Sequence, residues 1–162
     1  MYEFFQDIIR GLWFILPAYA ASSFAVVSGG RFVIDFNKKL FGKRIFGNGK
    51  TFSGFFGGVF AGGVIGFLLG SFDTGLVIAS GAMIGDLAGS FIKRRLGFER
   101  GASVLLLDQL DFVAGALVFG YLIIPDVLPS ITAIIFILIL TPFLHLFANK
   151  LAHAWKLKKR PW

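Results

Sequence analysis

Four stretches of this chain, 11–28, 52–69, 75–91 and 128–147, contain between them a single charged residue, Asp86. Each is close to the ~20 apolar residues that carry a helix across ~30 Å of hydrocarbon. A fifth stretch, 104–124, is equally apolar apart from Asp108, Gln109 and Asp111, and it stops at Pro125-Asp126, a natural break between helices. With 56% hydrophobic and only 15% charged residues, the chain is suited to lipid rather than water. These spacings predict an all-α integral membrane protein of five transmembrane helices, a single membrane domain over 1–162, with connecting loops at 29–51 and 92–103. The first stretch is expected to be retained rather than cleaved as a signal, because Glu3 and Asp7 flank it beside Arg10 and no small-residue cleavage pattern follows a short core. Cysteine is absent, which excludes disulfides and thiolate chemistry.

Loops on the cytoplasmic side of a membrane are enriched in Lys and Arg. Here 15 of the 16 cations fall on one side of a five-span alternation. They are Arg31, Lys38, Lys39, Lys43, Arg44 and Lys50 after the first span, Lys93, Arg94, Arg95 and Arg100 after the third, and Lys150, Lys156, Lys158, Lys159 and Arg160 in the tail. The N-terminus is therefore expected outside and the C-terminus in the cytoplasm of a multi-pass protein of the cell membrane. The net charge of +7 reads as topology and attraction to anionic head groups, with no nucleic-acid partner.

Gly54, Gly58, Gly62, Gly66 and Gly70 recur every fourth residue, as do Gly81, Gly85 and Gly89. Such ridges let helix backbones approach closely where no hydrophobic effect drives association, and they predict tight packing of the second and third spans. Within the first loop, Arg31 to Phe36 is a candidate for a short extended segment or hairpin.

Intramembrane carboxylates carry the functional signal, since each Asp costs on the order of 2.5–3.5 kcal/mol on insertion scales. Asp86, Ser90, Lys93 and Arg94 follow i, i+4, i+7, i+8 spacing and are expected on one helical face; Asp108 and Asp111 share a face of the next helix. Asp86 lies seven residues inside Lys93 and Asp111 seven inside Val104, which at ~1.5 Å per residue sets both roughly 10 Å below the same surface. Three carboxylates at one depth beside cations suit a hard divalent ion such as Mg²⁺, which keeps water and substrate phosphate in its remaining positions. Asp86, Asp108 and Asp111 are the candidate metal ligands, and with Lys93 and Arg94 the candidate catalytic residues. A second anion-binding feature is Asn48-Gly49-Lys50-Thr51 at the entrance to a glycine-rich helix, where backbone N–H groups, a point charge and a hydroxyl meet. It is not a nucleotide-binding P-loop: the first glycine of that pattern would fall at position 44, which holds Arg44. His145 and His153 lie near the C-terminal helix end and are expected to be interfacial.

The segments GNGKTFSGFFGG (47–58), GDLAGSFIKRR (85–95) and LLLDQLDF (105–112) resemble, in order and in sidedness, the three signature blocks of the membrane CTP:lipid-phosphate cytidylyltransferases. The short interval between Arg95 and Leu107, the Asp-Gln-Leu-Asp form of the last block and the small five-span chain are closer to the archaeal branch of that family, the CDP-archaeol synthases. Gly-Ala-Ser at 101–103 departs from the Gly-Glu-Ser expected there. The resemblance implies Mg²⁺-dependent transfer of CMP from CTP to an unsaturated ether lipid phosphate, 2,3-bis-O-(geranylgeranyl)-sn-glycerol 1-phosphate, releasing pyrophosphate at the cytoplasmic face. On that reading Asn48, Gly49, Lys50, Thr51, Ser90, Lys93 and Arg94 bind nucleotide and phosphate. Rival readings are a phosphatidate cytidylyltransferase acting on ester lipids, a CTP-dependent polyprenol kinase, and a small ion or metal transporter, although the inverted repeats expected of a transporter are not visible.

Overall fold

The computed structural model describes residues 2–98, 102, 104 and 106–156. Arg100, Gly101, Ser103, Leu105, Lys158, Lys159 and Arg160, on which parts of the sequence reading fall, lie outside the described residues. Five helices, α1 (Tyr2–Val27), α2 (Phe52–Leu68), α3 (Phe72–Arg95), α4 (Leu107–Ile123) and α5 (Ile131–Ala154), are joined by a small hairpin of β1 (Lys39–Leu40) and β2 (Lys43–Arg44) and by a 3-10 turn at Pro125–Val127. The helices form a ring in chain order, α5 closing on α1, with α1 also reaching across to α3 and α4. Segments 2–27, 72–95 and 131–151 are long and apolar enough to cross a membrane. The other two helices have 17 residues each, about 25 Å at ~1.5 Å per residue.

Helix ends follow local chemistry. Thr51, Ser71 and Ser130 are N-caps whose side chains accept from Gly54, Thr74 and Ala133 N–H. At the end of α2, Gly70 takes φ +101° while its N–H donates to Phe67 O and Ser71 N–H to Gly66 O, a Schellman motif. Ser71 thus finishes one helix and caps the next. Gly70 belongs to this turn and not to the glycine ridge, since nothing lies within 4 Å of where its Cβ would stand. α4 begins at Leu107 rather than 104, because Asp108 Oδ2 accepts from Val104 N–H (3.2 Å) and Gln109 Oε1 from Leu106 N–H (3.2 Å). α1 and α5 extend to Tyr2 and Ala154, beyond the apolar stretches at 11–28 and 128–147.

The two glycine ridges serve different neighbours. Gly54, Gly58 and Gly62 lie against the carbonyls of Ala25, Ala21 and Pro17 on α1, and Gly66 against Gly75 of α3. The second ridge does not face α2: Gly81 and Gly85 pack on Gly115 and on the Asp111 carbonyl of α4, and Gly89 lies beneath the Asp111 side chain. α2 instead meets the Gly75, Ala79 and Met83 side of α3. Phe14, Ile15 and Ala18 of α1, Ile78 and Ala82 of α3, Phe112, Val113 and Ala116 of α4 and Ile137 of α5 form the core. Phe56, Phe60 and Phe67 project outward from α2 and are at least 64% exposed.

The loop before α2 is built on Asp35, which sequence reading passed over. Arg31 to Phe36 does not form a hairpin: Asp35 Oδ1 accepts from Asn37 N–H (3.1 Å), turning the chain with positive φ at Phe36 and Asn37, and the hairpin forms later around Phe41-Gly42. A short extended piece does form around Val33, which pairs antiparallel with Thr51 through the Ile34 N–H to Lys50 O (2.9 Å) and Phe52 N–H to Phe32 O (3.0 Å) bonds. Asp35 is 4% exposed and takes Arg44 (Nη2 to Oδ1, 2.5 Å; Nε to Oδ2, 3.1 Å) together with the N–H groups of Phe46 (3.1 Å) and Gly47 (2.9 Å). Burial alone would raise its carboxyl; the Arg44 guanidinium and the Gly47, Phe46 and Asn37 amides overcome that and hold it well below the ordinary carboxylate range. Arg95, at the end of α3, grips the hairpin from below through the carbonyls of Leu40, Lys43 (3.1 Å) and Arg44 (2.7 Å).

Two expectations follow from this packing. A Cβ at Gly115 would stand 2.7 Å from Gly85 Cα, so Gly115→Ala should cost about 1–3 kcal/mol and lower the detergent melting temperature. Gly49→Ala, with nothing within 4 Å, should leave that temperature unchanged, and equal melting of the two variants would refute the close crossing. A carboxyl whose pKa falls on folding stabilises the protein fully above its unfolded value, about 4, and that contribution disappears as pH falls through the folded value. Amide exchange at Phe46 and Gly47 should therefore stay slow in the wild type from neutral pH to below pH ~4, whereas Asp35→Asn should exchange fast throughout with a flatter pH profile. Wild-type protection in Asp35→Asn at pH 7 would count against this role.

Candidate active site

At one end of the helix ring a cavity of about 240 Å³ gathers residues from every helix and from the first loop. Gly49, Lys50 and Thr51 enter from the loop, Asp86 and Lys93 from α3, Asp108 and Asp111 from α4, and His145 and Asn149 from α5; Ala25, Ile34, Phe55 and Met83 supply an apolar side. Two ion pairs organise the polar side. Lys50 Nζ lies 2.5 Å from both carboxylate oxygens of Asp86, and Lys93 Nζ lies 2.6 Å from Asp108 Oδ1. The second is a charge contact only, out of line for a hydrogen bond, so Asp108 Oδ1 is buried without a hydrogen-bond donor while Oδ2 holds the Val104 amide.

Asp111 occupies a place that side-chain volume elsewhere would deny it. Its carboxylate lies over Gly89, where any Cβ would collide with it, and its carbonyl lies over Gly85. Oδ1 accepts from the N–H of Phe112 at 2.7 Å. The sequence spacing that put Asp86 and Asp111 at one depth thus corresponds to a real juxtaposition, created by the glycine contact between α3 and α4.

The structure divides the remaining candidates. Gly49, Lys50 and Thr51 reach the cavity, and Thr51 is also committed to the loop, its hydroxyl accepting from Gly30 and Gly54 N–H (both 3.2 Å). Asn48 does not line it: exposed, it accepts from Arg44 Nη1 at 2.5 Å. Arg94 does not share the cavity-facing side of α3 either. At ~100° per residue Lys93 lies only about 20° around the helix from Asp86, but Arg94 about 80°. Its guanidinium turns to the loop, Nε donating to Phe46 O (3.4 Å) and Nη1 to Phe98 O (2.5 Å). With Lys43, Arg44, Gly47 and Asn48 it borders a separate surface hollow. Ser90 is buried between helices, 4% exposed, and is not among the cavity residues. Ala102 stands at the cavity wall, where it presents a methyl group in place of an acid.

His145 and Asn149, expected to be interfacial or not singled out at all, border the same cavity. Asn149 Nδ2 lies 3.1 Å from His145 Nδ1, and the imidazole stacks on Phe112 at a centroid distance of 6.4 Å. The signal available in the sequence was the i, i+4 pair of polar side chains in a largely apolar helix, at the same bundle end as the acids.

The donor set decides whether a divalent cation suits this place. Three carboxylates border one cavity, and one buried oxygen, Asp108 Oδ1, lacks a hydrogen-bond donor. Among the described residues no three acidic, histidine or cysteine side chains converge closely enough to enclose an ion by themselves. A hard cation that takes one or two carboxylates and completes its sphere with water and phosphate oxygens fits such a set. Asp86, Asp108 and Asp111 are the residues that could hold it.

Comparison with known proteins gives the family of the chain. The family model described as CarS-like, CDP-archaeol synthase, matches residues 4–162. The CDP-archaeol synthase of Methanopyrus kandleri is 44% identical over 164 residues, covering 96% of this chain and 94% of the relative. That of Pyrococcus abyssi is 44% identical over 170 residues, covering 97% and 99%. A solved structure, described as an intramembrane enzyme for archaeal membrane lipids biosynthesis, superposes with a TM-score of 0.74 at 38% identity, covering 88% of this chain and 94% of that one. With a family match along almost its whole length and relatives 44% identical over nearly the full chain, the chain belongs to the CDP-archaeol synthase family.

Proposed function

We propose that this protein is a CTP-dependent lipid-phosphate cytidylyltransferase that transfers CMP from CTP to 2,3-bis-O-(geranylgeranyl)-sn-glycerol 1-phosphate, giving the CDP-activated ether lipid and pyrophosphate. One observation carries the reading: Lys50, Lys93, Asp86, Asp108 and Asp111, from the first loop, α3 and α4, line one cavity. The five helices are a single membrane domain of five spans, with the N-terminus outside and the cavity facing the cytoplasm. Supporting this are the 15 cations on one side of the alternation and the position of the cavity at the bundle end bearing the basic loops.

The reaction joins a phosphate oxygen of the lipid to the α-phosphorus of CTP and breaks the bond from that phosphorus to the bridging oxygen of the β-phosphate. A phosphomonoester is already anionic near neutral pH, so no general base is needed, and rate comes from positioning and electrostatics. Lys50 and Lys93, now paired with Asp86 and Asp108, take the triphosphate and the pyrophosphate leaving group. Gly49 and the Thr51 end of α2 contribute backbone donors. Asp86, Asp108 and Asp111 are the residues that would hold Mg²⁺, which would supply neutralisation of phosphate charge. Asn48 and Arg94 act through the loop, fixing the backbone around Gly47 to Lys50. Ser90 supports the helix face from which Asp86 and Lys93 project.

The assay uses purified protein, labelled CTP, Mg²⁺ and either the ether lipid phosphate or phosphatidic acid. A CDP-lipid and pyrophosphate are the expected products, with the ether lipid preferred and no product in chelator. Asp111→Asn should lower the rate by about a hundredfold or more, since it removes a carboxylate charge from the reacting centre. An Asp111→Asn enzyme as fast as wild type, or no CDP-lipid from either acceptor, would overturn the assignment.

A further inference from the structure

We propose that the loop before α2 is an interfacial anchor, in which Phe32, Phe36 and Phe41 enter the headgroup boundary of the bilayer and Arg31, Lys38 and Lys39 meet anionic lipid headgroups. The inference goes beyond the cytidylyltransferase reading and does not depend on it. The three rings are 80%, 68% and 89% exposed. Single exposed apolar side chains are ordinary, but three between positions 32 and 41 form a patch. Two of them also stand on unfavourable backbone. Phe36 has φ +47° and Phe41 φ +48°, in the left-handed region that bulky side chains rarely occupy. Phe41 and Gly42 are the central pair of the two-residue turn joining β1 to β2, where Asn-Gly or Asp-Gly is the ordinary choice. A strained ring that packs on almost nothing of its own chain calls for a contact outside it.

The helices say what that contact is. On α2 the outward row Phe52, Phe56, Phe60 repeats every fourth residue, and the loop begins where the row ends. Phe36 rests on Phe52 at a centroid distance of 5.5 Å, and the Phe32 carbonyl accepts from Phe52 N–H (3.0 Å). On α3 the outward row includes Ile84, Ile92 and Leu96. Arg95, beside the last of these, holds the carbonyls of Leu40 and Lys43 on either side of the turn at Phe41. The rings thus continue two lipid-facing rows just past the helix ends, at the depth where aromatic side chains collect. Charge then selects the lipid. Every exposed charge from Arg31 to Lys43 is positive, whereas Asp35 is buried against Arg44. A second copy of the chain meeting this face through its own would set cation against cation, but an anionic headgroup layer complements it. Because the Asp35 turn and the hairpin frame the backbone leading to Lys50, a bilayer that holds this loop also steadies one edge of the cavity.

Spin labelling of the full chain in vesicles tests the anchor, and the absence of cysteine lets one label be placed at a time. Phe32→Cys and Phe41→Cys each carry a nitroxide, which exchanges one apolar tip for another. Collisions with oxygen, which concentrates in hydrocarbon, are compared with collisions with a water-soluble nickel complex. In vesicles of equal parts phosphatidylcholine and phosphatidylglycerol, both labels should be open to oxygen and shielded from nickel. The ratio of inserted to released label should exceed that in pure phosphatidylcholine by about tenfold or more, given about fivefold for each lysine at an anionic surface. Lys38→Gln combined with Lys39→Gln should remove most of that excess, and so should high salt. Unlabelled wild-type protein gives a second reading: amide exchange at the Phe41-Gly42 tip should slow severalfold on passing from neutral to anionic vesicles. A label that stays open to nickel in the anionic vesicles, equal insertion in the two lipids, or unchanged exchange at the tip would each overturn the anchor. A label shielded from both probes would overturn it too, since it would put a protein surface, a second copy or the chain's own tail, on the patch instead.

Discussion

The contact of backbone on backbone between α3 and α4 is the constraint from which the site follows. Gly81, Gly85 and Gly89 on one helix and Gly115 on the other remove the side chains that would hold the axes apart. In a medium that offers no hydrophobic drive between helices, such approach is the available way of gaining dispersion and fixing register. Register matters because Asp86 directly follows Gly85 and Asp111 lies one turn before Gly115. Wherever those glycines meet, two carboxylates must face a common space.

Bringing acids together inside an apolar bundle is unfavourable unless something answers their charge. Lys50 and Lys93 supply the answer from two different directions, one from a loop and one from a helix end. The loop lysine can do so only because the loop has a fixed shape, and Asp35 gives it that shape by collecting Arg44 and three backbone amides. Arg94 and Arg95 fasten the same loop to the end of α3. Within the run Lys93-Arg94-Arg95, one cation serves the cavity and two serve the scaffold. A single turn of helix thus separates chemistry from support by rotation alone.

Much of this was legible in the sequence because it rests on local rules. Apolar length marked the helices, Pro125 the break before α5, and the spacing of Asp86, Lys93, Asp108 and Asp111 a shared cavity. Other features depend on partners distant in sequence. Asp35 looked like one charge in a basic loop, since nothing in its neighbourhood announces that four donors fold onto it. Gly70 fits the four-residue ridge by number and leaves it by conformation, which only the turn into α3 decides. Arg94 shares a nominal face with Asp86, but a long side chain about 80° away is free to choose the loop. His145 and Asn149 required knowing that α5 closes the ring against α1, a tertiary fact with no sequence period attached.

That closure has a mechanical side. Far from the cavity, α5 is pressed on α1 where Gly11 faces Ala133, and midway Tyr19 Oη lies 2.7 Å from Thr141 Oγ1. Beyond Thr141 toward Asn149 the His145 ring stacks on Phe112, yet over its most apolar stretch α5 is only 17% buried against 50% for α3, which is locked to α4 along its glycines. Stability in a folded chain is distributed according to buried contact. The cavity accordingly has one stiff wall, which fixes the position of the carboxylates, and one compliant wall, which can yield to a bulky ligand without disturbing the carboxylates opposite.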